Sequence, residues 1–372
     1  MSKKEVTVHL ETITPLWTGD AWQENGKIRP SSLMGSLRFW FEVICYFAGI
    51  VSKKEFDSNT GRFNKVKVKN EDNVEDREKK LINEILKNGN DIKTVINFLN
   101  NNGYPIPAII FGTTGWKGLI EIKEIKLLED YCFGNKLNLP ERICISKQNG
   151  EIKENNDCPK SRDKNWSVFY LSQPYFYGKL EIKFLVEEEI LNSIFYPLLN
   201  FMDKYGYWGG KWNIGYGKLR VTAVKQNNNG ENWKIEKFNF SLFENKNDEE
   251  FGSEKYLRSV SNFDDLIQGN NKKIKILNKI SDNQNSNNQD SNKDLRDVIK
   301  ELIKQKAEIR TTVSNSKDRH YKFGKTGKSK SEDLPQGSKI LPYIKKEIKK
   351  EEESFVGGFL SIVDLINLYG SD

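Results

Sequence analysis

Gly206-Tyr-Trp-Gly-Gly-Lys-Trp-Asn-Ile-Gly-Tyr-Gly-Lys-Leu-Arg-Val221 packs five glycines, four large aromatics and three cations into sixteen residues. Glycine allows positive φ and close approach of two backbones. Aromatic faces can stack on bases, and cations can meet phosphates. The stretch is framed by two readable elements. Before it, Ile190, Ile194, Leu198, Phe201 and Met202 form an apolar stripe over Ile190 to Tyr205, a helix that Pro197 should kink or break. After it, Lys218 to Val224 reads as a strand. The unit is therefore helix, glycine-rich loop, strand.

Working outward, Val6, Val8 and Leu10 alternate with polar residues, the two-residue period of a half-buried strand. Pro15 should end it near Ile13. A connection from Thr14 to Pro30 leads to a helix that Ser31 or Ser32 is placed to cap. Its stripe is Leu33, Leu37, Trp40, Phe41, Ile44 and Ala48. Gly35 inside that helix costs about 1 kcal/mol relative to alanine, which suggests a close neighbour at the first turn. Leu119 to Leu127 and Lys179 to Val186 read as two further strands. Strand, helix, strand, strand, helix, strand is the ferredoxin-like (RRM-like) order. It predicts an α+β fold with an antiparallel sheet and both helices on one face.

The other segments are less regular. Residues 52–75 are polar, and helical patterns follow at Arg77 to Lys87 and Asp91 to Asn100. Pro105 and Pro107 bracket a turn before the apolar Ala108 to Phe111, and Gly134 to Asn165 reads as a polar excursion. Trp233 to Phe240 suggests a strand and Glu250 to Ile267 a helix. The Asn/Ser/Asp/Gln tract within 269–292 predicts a disordered loop. Leu295 to Ile309 predicts a charged helix with Leu295, Val298, Ile299, Leu302 and Ile303 on one face. Ser316 to Lys330 carries six Lys/Arg against one acid and reads as a mobile loop, solvated or gripping a polyanion. Phe355 to Leu368 is an apolar segment of unassigned type. The expected division is an N-terminal domain over 1–225, with insertions near 52–103 and 134–165, and a C-terminal domain over 226–372.

Composition narrows the partners. The 372 residues are 37% hydrophobic and 30% charged, with a net charge of +7 and a pI of about 8.9, which favours a polyanion. No run of eighteen apolar residues and no apolar leader region occur, so a membrane is not an expected partner. Cys45, Cys132, Cys144 and Cys158 form no Cys-x-x-Cys pair, and there are two histidines. We expect free thiols in a reducing cytoplasm, with no zinc and no cofactor.

A family resemblance rests on three motifs. Ile13-Thr-Pro-Leu-Trp-Thr-Gly19 followed by Ile28-Arg-Pro-Ser-Ser-Leu-Met-Gly-Ser-Leu-Arg-Phe-Trp-Phe41 resembles the start of the RAMP superfamily. Within it, that stretch and Phe111-Gly-Thr-Thr-Gly-Trp116 are similar to the first subunit of the type III-B (Cmr) CRISPR RNA-guided effector. Gly206 to Arg220 resembles the superfamily's glycine-rich loop. The resemblance implies a RAMP fold, with a second RAMP-like half after residue 226. It also implies membership of a ribonucleoprotein with other Cmr-type subunits, and contact with guide RNA, target RNA or both. The first subunit is implied to sit at the guide's 3′ portion and not to be a nuclease. The competing reading is a RAMP endoribonuclease, metal-dependent or not.

The candidate RNA-binding residues form three groups. In the glycine-rich loop they are Gly209, Gly210, Lys211, Trp212, Gly215, Tyr216, Gly217, Lys218 and Arg220, with a tight turn packed on the sheet as the competing reading. Beside it, Trp17 joins Arg29, Ser31, Ser32, Gly35 and Arg38, where a helix N-terminus offers unpaired N–H groups to an anion. Arg319 and Lys322 come from the basic segment. Asp20 occupies the loop in which cleaving relatives carry an aspartate, and His9 and His320 are the histidines available to acid–base chemistry. All three are expected to be non-catalytic.

Overall fold

The computed structural model describes residues 2–19, 26–57, 60–66, 91–159, 163, 165–226, 229–230, 233–235, 237–243, 275–277, 294–324, 337–349 and 352–362, with isolated positions between 76 and 87. In chain order the main elements are β1 (Lys3–Thr12), α1 (Pro30–Phe47), α2 (Ile92–Asn101), α3 (Ile106–Phe111) and β2 (Ile120–Leu127). Next come β3 (Arg142–Ser146), β4 (Ile152–Glu154), β5 (Trp166–Tyr170), β6 (Lys179–Glu187), α4 (Tyr196–Lys204) and β7 (Leu219–Gln226). The C-terminal part gives α5 (Leu295–Thr312), α6 (Ser316–Phe323), β8 (Ile340–Lys349) and β9 (Glu352–Ser361).

The large sheet runs Asn229–Gly230, β7, β1, β6, β2, every neighbour antiparallel. Counting only β1, β2, β6 and β7, this is the split βαβ order expected of a ferredoxin-like fold. Val6, Val8 and Leu10 face Ile182, Phe184, Leu180 and the helices, all buried in one core with Leu33, Leu37, Trp40, Phe41 and Ile44. The opposite face is an ion-paired lattice: Lys123–Glu5 at 2.8 Å, Lys183–Glu124 at 2.7 Å and Arg220–Glu11 at 2.6 Å. His9 joins it, its Nε2 lying 3.3 Å from Oε2 of its cross-strand partner Glu181.

Several expectations need correcting. Arg29, not a serine, is the N-cap of α1, and no side chain caps it; Pro30 fills the first turn, where its missing N–H costs nothing. Residues 106–111 form a short helix because Pro107 falls in its first turn, and Ala108 and Ile109 donate to the Pro105 carbonyl. The supposed polar excursion contains a three-stranded sheet, β4-β3-β5, whose Ile143 and Ile145 pack against α5. Described residues of 233–240 form no strand; Phe238 and Phe240 lie over Phe41. Residues 316–323 are a helix capped by the Asn315 side chain, not a loop. The apolar C-terminal segment pairs as β9 with β8 through 361. Cys144 and Cys158 form a disulfide, whereas Cys45 and Cys132 are free and buried. The predicted helix at 250–267 and the 281–292 tract lie outside the described residues.

Pro197 does mark a break. Glu188–Ile190 begins the second helix, Leu191–Phe195 follows as a π turn, and α4 then starts with Pro197 in its first turn. A π turn inserts one residue without losing the helical path, which spares the carbonyl that proline would strike.

Candidate nucleic-acid interface

The glycine-rich loop leaves α4, turns through a 3-10 segment at Trp212–Ile214, and returns beside its own beginning. Trp208 N–H donates to the Gly217 carbonyl at 2.7 Å, and Gly217 N–H donates to Pro15 O at 2.7 Å. Gly217 has φ of +91°, and a Cβ there would run into the Trp208 carbonyl. Gly209, at φ +70°, likewise has Trp17 O where a side chain would go. Both positions need glycine because two backbones meet there.

This crossing brings the first two groups of candidates together. Gly210 N–H donates to Trp17 O at 2.8 Å, and Gly209 N–H donates to Ser36 Oγ at 2.9 Å. Ser36 in turn donates to Ser32 O at 2.8 Å, so the loop is tied to the first turns of α1. The Lys211 ammonium lies 5.0 Å from the Trp17 ring centre, a cation–π distance. Trp212 is half-buried, stacked on Trp40 at 5.9 Å, with its indole N–H on Trp208 O. Arg29 N–H donates to Thr18 Oγ1 at the entrance of α1, where Ser31 is exposed and Ser32 half-buried. Among the described residues only Arg62 comes within 4 Å of where a Gly35 Cβ would sit, at 3.8 Å, an ordinary contact distance, so the close neighbour expected at the first turn is not found.

Other candidates have internal tasks. Tyr216 is buried against Tyr175, and burial drives its phenol pKa far upward. Gly215, also buried, faces Pro342. Arg38 grips Glu42 at 2.8 Å and the Gly112 carbonyl at 2.7 Å, joining α1 to the Phe111–Trp116 motif. Burial raises the Glu42 pKa while Arg62 and Arg38 oppose the shift. Arg220 is spent on Glu11, which also receives Lys346; burial pushes that carboxyl up, but its hydrogen bond to Arg220 and the Lys346 charge hold it below the usual range. Lys218 is 1% exposed, its ammonium donating to Asp203 O at 3.1 Å in the last turn of α4 and to Gly206 O at 3.3 Å just beyond it. It is a helix cap and does not reach a surface phosphate. Asp20 lies outside the described residues.

Across the loop, α5 closes the other wall of a cleft of about 480 Å³. Lys211, Lys306 and Arg310 line it together with Trp212, Tyr170 and Phe323, and no described carboxylate lines it. Lys306 is buried and donates to Asn213 O at 2.7 Å. Arg310 is only partly buried; burial lowers its pKa, with the nearby Arg319 charge second. Arg319 also reaches Val313 O at 3.4 Å, whereas Lys322 contributes its carbonyl to Lys339 N–H. Lys306 and Arg310 escaped the sequence reading, yet a signal existed. The buried stripe of α5 continues by threes and fours from Ile299 and Ile303 to 306 and 310, and a core stripe ending in two cations marks a polar cavity.

The buried lysines set a pH dependence. Burial, above all, pushes Lys218 and Lys306 each down to about 7 from the ordinary 10.5. Between those values the unfolded chain binds more protons than the folded one, so stability rises with pH across that window. Below pH 7 the full cost of two buried charges is present. Urea unfolding is expected to give a higher stability at pH 9 than at pH 7, by about 1 kcal/mol or more per lysine. Lys306→Met should remove its share of the slope, and a flat profile in the unaltered protein would contradict this account.

A family model described as the RAMP superfamily matches residues 9–220, more than half of the chain. No curated protein matches it. Solved structures similar to it include a chain of the Type III-B Cmr-beta bound to cognate target RNA and AMPPnP in the presence of ssDNA, determined by cryo-EM. That chain is 11% identical with a TM-score of 0.41, over 99% of both chains. Another, from the Type III-B Cmr-beta bound to cognate target RNA, is 12% identical with a TM-score of 0.25, over 60% of each.

Proposed function

The chain belongs to the RAMP superfamily, and we propose that within it this protein is a non-catalytic RNA-binding subunit of a type III-B CRISPR effector ribonucleoprotein. It helps hold the guide's 3′ portion and capture target RNA in antiviral defence, alongside other Cmr-type subunits. The observation that carries the RNA reading is the cleft between the glycine-rich loop and α5. There Lys211, Lys306 and Arg310 converge on a space with aromatic walls and no described carboxylate. A positive groove with stacking faces is how single strands are held without strong sequence choice. The type III-B assignment is supported by the Arg29–Phe41 and Phe111–Trp116 motifs. The sheet's open face suits RNA poorly: its charges are already paired across strands, as in Lys123–Glu5 and Lys183–Glu124. His9 lies on that face beside Glu181 and is not among the residues lining the cleft, which supports a binding role over acid–base cleavage there.

The test uses the full chain with single-stranded repeat-derived RNA, with and without divalent metal. The expected result is intact RNA and an affinity that falls linearly in log–log plots against salt. Cleavage of the RNA would transfer the assignment to the endoribonuclease reading. Absence of RNA crosslinks to this chain in the assembled particle would overturn RNA binding altogether.

A further inference from the structure

The cleft has a size and a lining that name its occupant more narrowly. Its volume of about 480 Å³ lies in the range of pockets for single small molecules, about 300–1,000 Å³. A turn of paired RNA helix does not fit such a space. Gly209, Gly210, Gly324 and Gly337 are among the residues that line it, beside flat aromatic rings and cations. Tyr170 is 66% exposed although aromatic, at the end of β5, and it lines the cleft rim. Trp212 offers a second ring, held in place by its stack on Trp40. Lys211 and Arg310 supply charge, both only partly buried. Lys306 lies beneath, 4% exposed, and its bond to Asn213 O fixes the loop against α5.

We propose that this cleft takes one unpaired, unstacked nucleotide, its base against Tyr170 and Trp212 and its phosphate on Lys211 and Arg310. Lys306 is a positioning residue that keeps the two walls together. The inference rests on the RNA-binding reading and adds to it a defined subsite. A ring face plus a cation is the minimum set that separates a nucleotide from a bare anion. None of the described lining residues is a carboxylate, so none of these repels a phosphate.

Calorimetry on the full chain with adenosine 5′-monophosphate, adenosine and inorganic phosphate tests it. The monophosphate is expected to bind at least about 10-fold more tightly than either part alone, and to compete with labelled single-stranded RNA, whereas an RNA duplex does not. Tyr170→Ala should weaken the monophosphate about 5- to 100-fold, the range of one lost base–aromatic stack, and leave phosphate binding unchanged. Because Tyr170 is mostly exposed, this variant folds, and its circular dichroism and melting temperature check that directly. A monophosphate that binds no better than inorganic phosphate, while RNA still binds, overturns the nucleotide subsite and leaves the RNA reading standing. Failure of single-stranded RNA itself to bind overturns the reading beneath it.

Discussion

Gly217→Ala is expected to lower the unfolding free energy by about 4 kcal/mol, a large part of the roughly 5–15 kcal/mol that holds a domain together. Three costs combine. A side chain at φ +91° is strained by about 1–2 kcal/mol. The new methyl meets the Trp208 carbonyl, which is backbone and cannot rotate away. Moving that loop segment away weakens two hydrogen bonds, Trp208 N–H to Gly217 O and Gly217 N–H to Pro15 O, each worth about 1 kcal/mol. Gly61→Ala is the control, because Gly61 also has positive φ, +64°, but no described residue comes within 4 Å of its would-be Cβ. It should cost only the strain, about 1 kcal/mol. Equal losses at the two sites in urea unfolding would mean that the close crossing contributes nothing beyond φ.

Lys211→Gln combined with Arg310→Gln is expected to weaken single-stranded RNA binding about 30-fold or more at moderate salt, by removing two charge-assisted contacts. The slope of log affinity against log salt should also become shallower by about 0.7, since both cations meet one phosphate and each phosphate neutralised on a single strand releases roughly 0.7 of a counterion. The pair Lys123→Gln with Lys183→Gln removes the same net charge from the ion-paired sheet face, where Glu5 and Glu124 already neutralise both lysines. Its effect on RNA should stay within about 2-fold, as expected for exposed, already paired charges. If the two double variants weakened RNA equally, the net charge of the protein and not the cleft would be responsible.

The six elements of the sheet and its helices were legible because each carries a strong local period. The stripe Leu33, Leu37, Trp40, Phe41 and Ile44 is buried throughout, as the helical spacing required. Strands β3 to β5 were missed because they are short and polar on one side, and the apolar partner of Ile143 and Ile145 lies on α5, about 150 residues onward in the chain. Trp233–Phe240 alternates like a strand but finds an aromatic helix face to cover instead of a neighbouring strand. Among the site residues, Trp17, Gly209, Gly210, Lys211 and Trp212 meet where the loop crosses the chain after β1. Lys218 looked like a surface cation because a sequence does not display which carbonyls a returning loop will surround. Arg220 looked free for a similar reason: its partner Glu11 is a cross-strand neighbour, visible only once register is known.

The loop's internal bonds also bear on the order in which the protein acquires its shape during synthesis. Tyr207 donates its hydroxyl to Pro342 O at 2.8 Å, and Tyr343 donates to Lys204 O at 2.7 Å. Lys346 reaches Glu11 across 335 positions of chain. A ribosome delivering the chain from its N-terminus exposes the ferredoxin-like sheet long before β8 exists. Until then the Tyr207 hydroxyl lacks the Pro342 carbonyl, and the ring of Tyr343, 5.4 Å from the Lys218 ammonium, is missing. Closure of such distant contacts is slow and leaves apolar surface open to association meanwhile. The nascent protein is thus most vulnerable in the interval between the emergence of residue 226 and that of residue 346, and its glycine-rich loop is among the last parts to set.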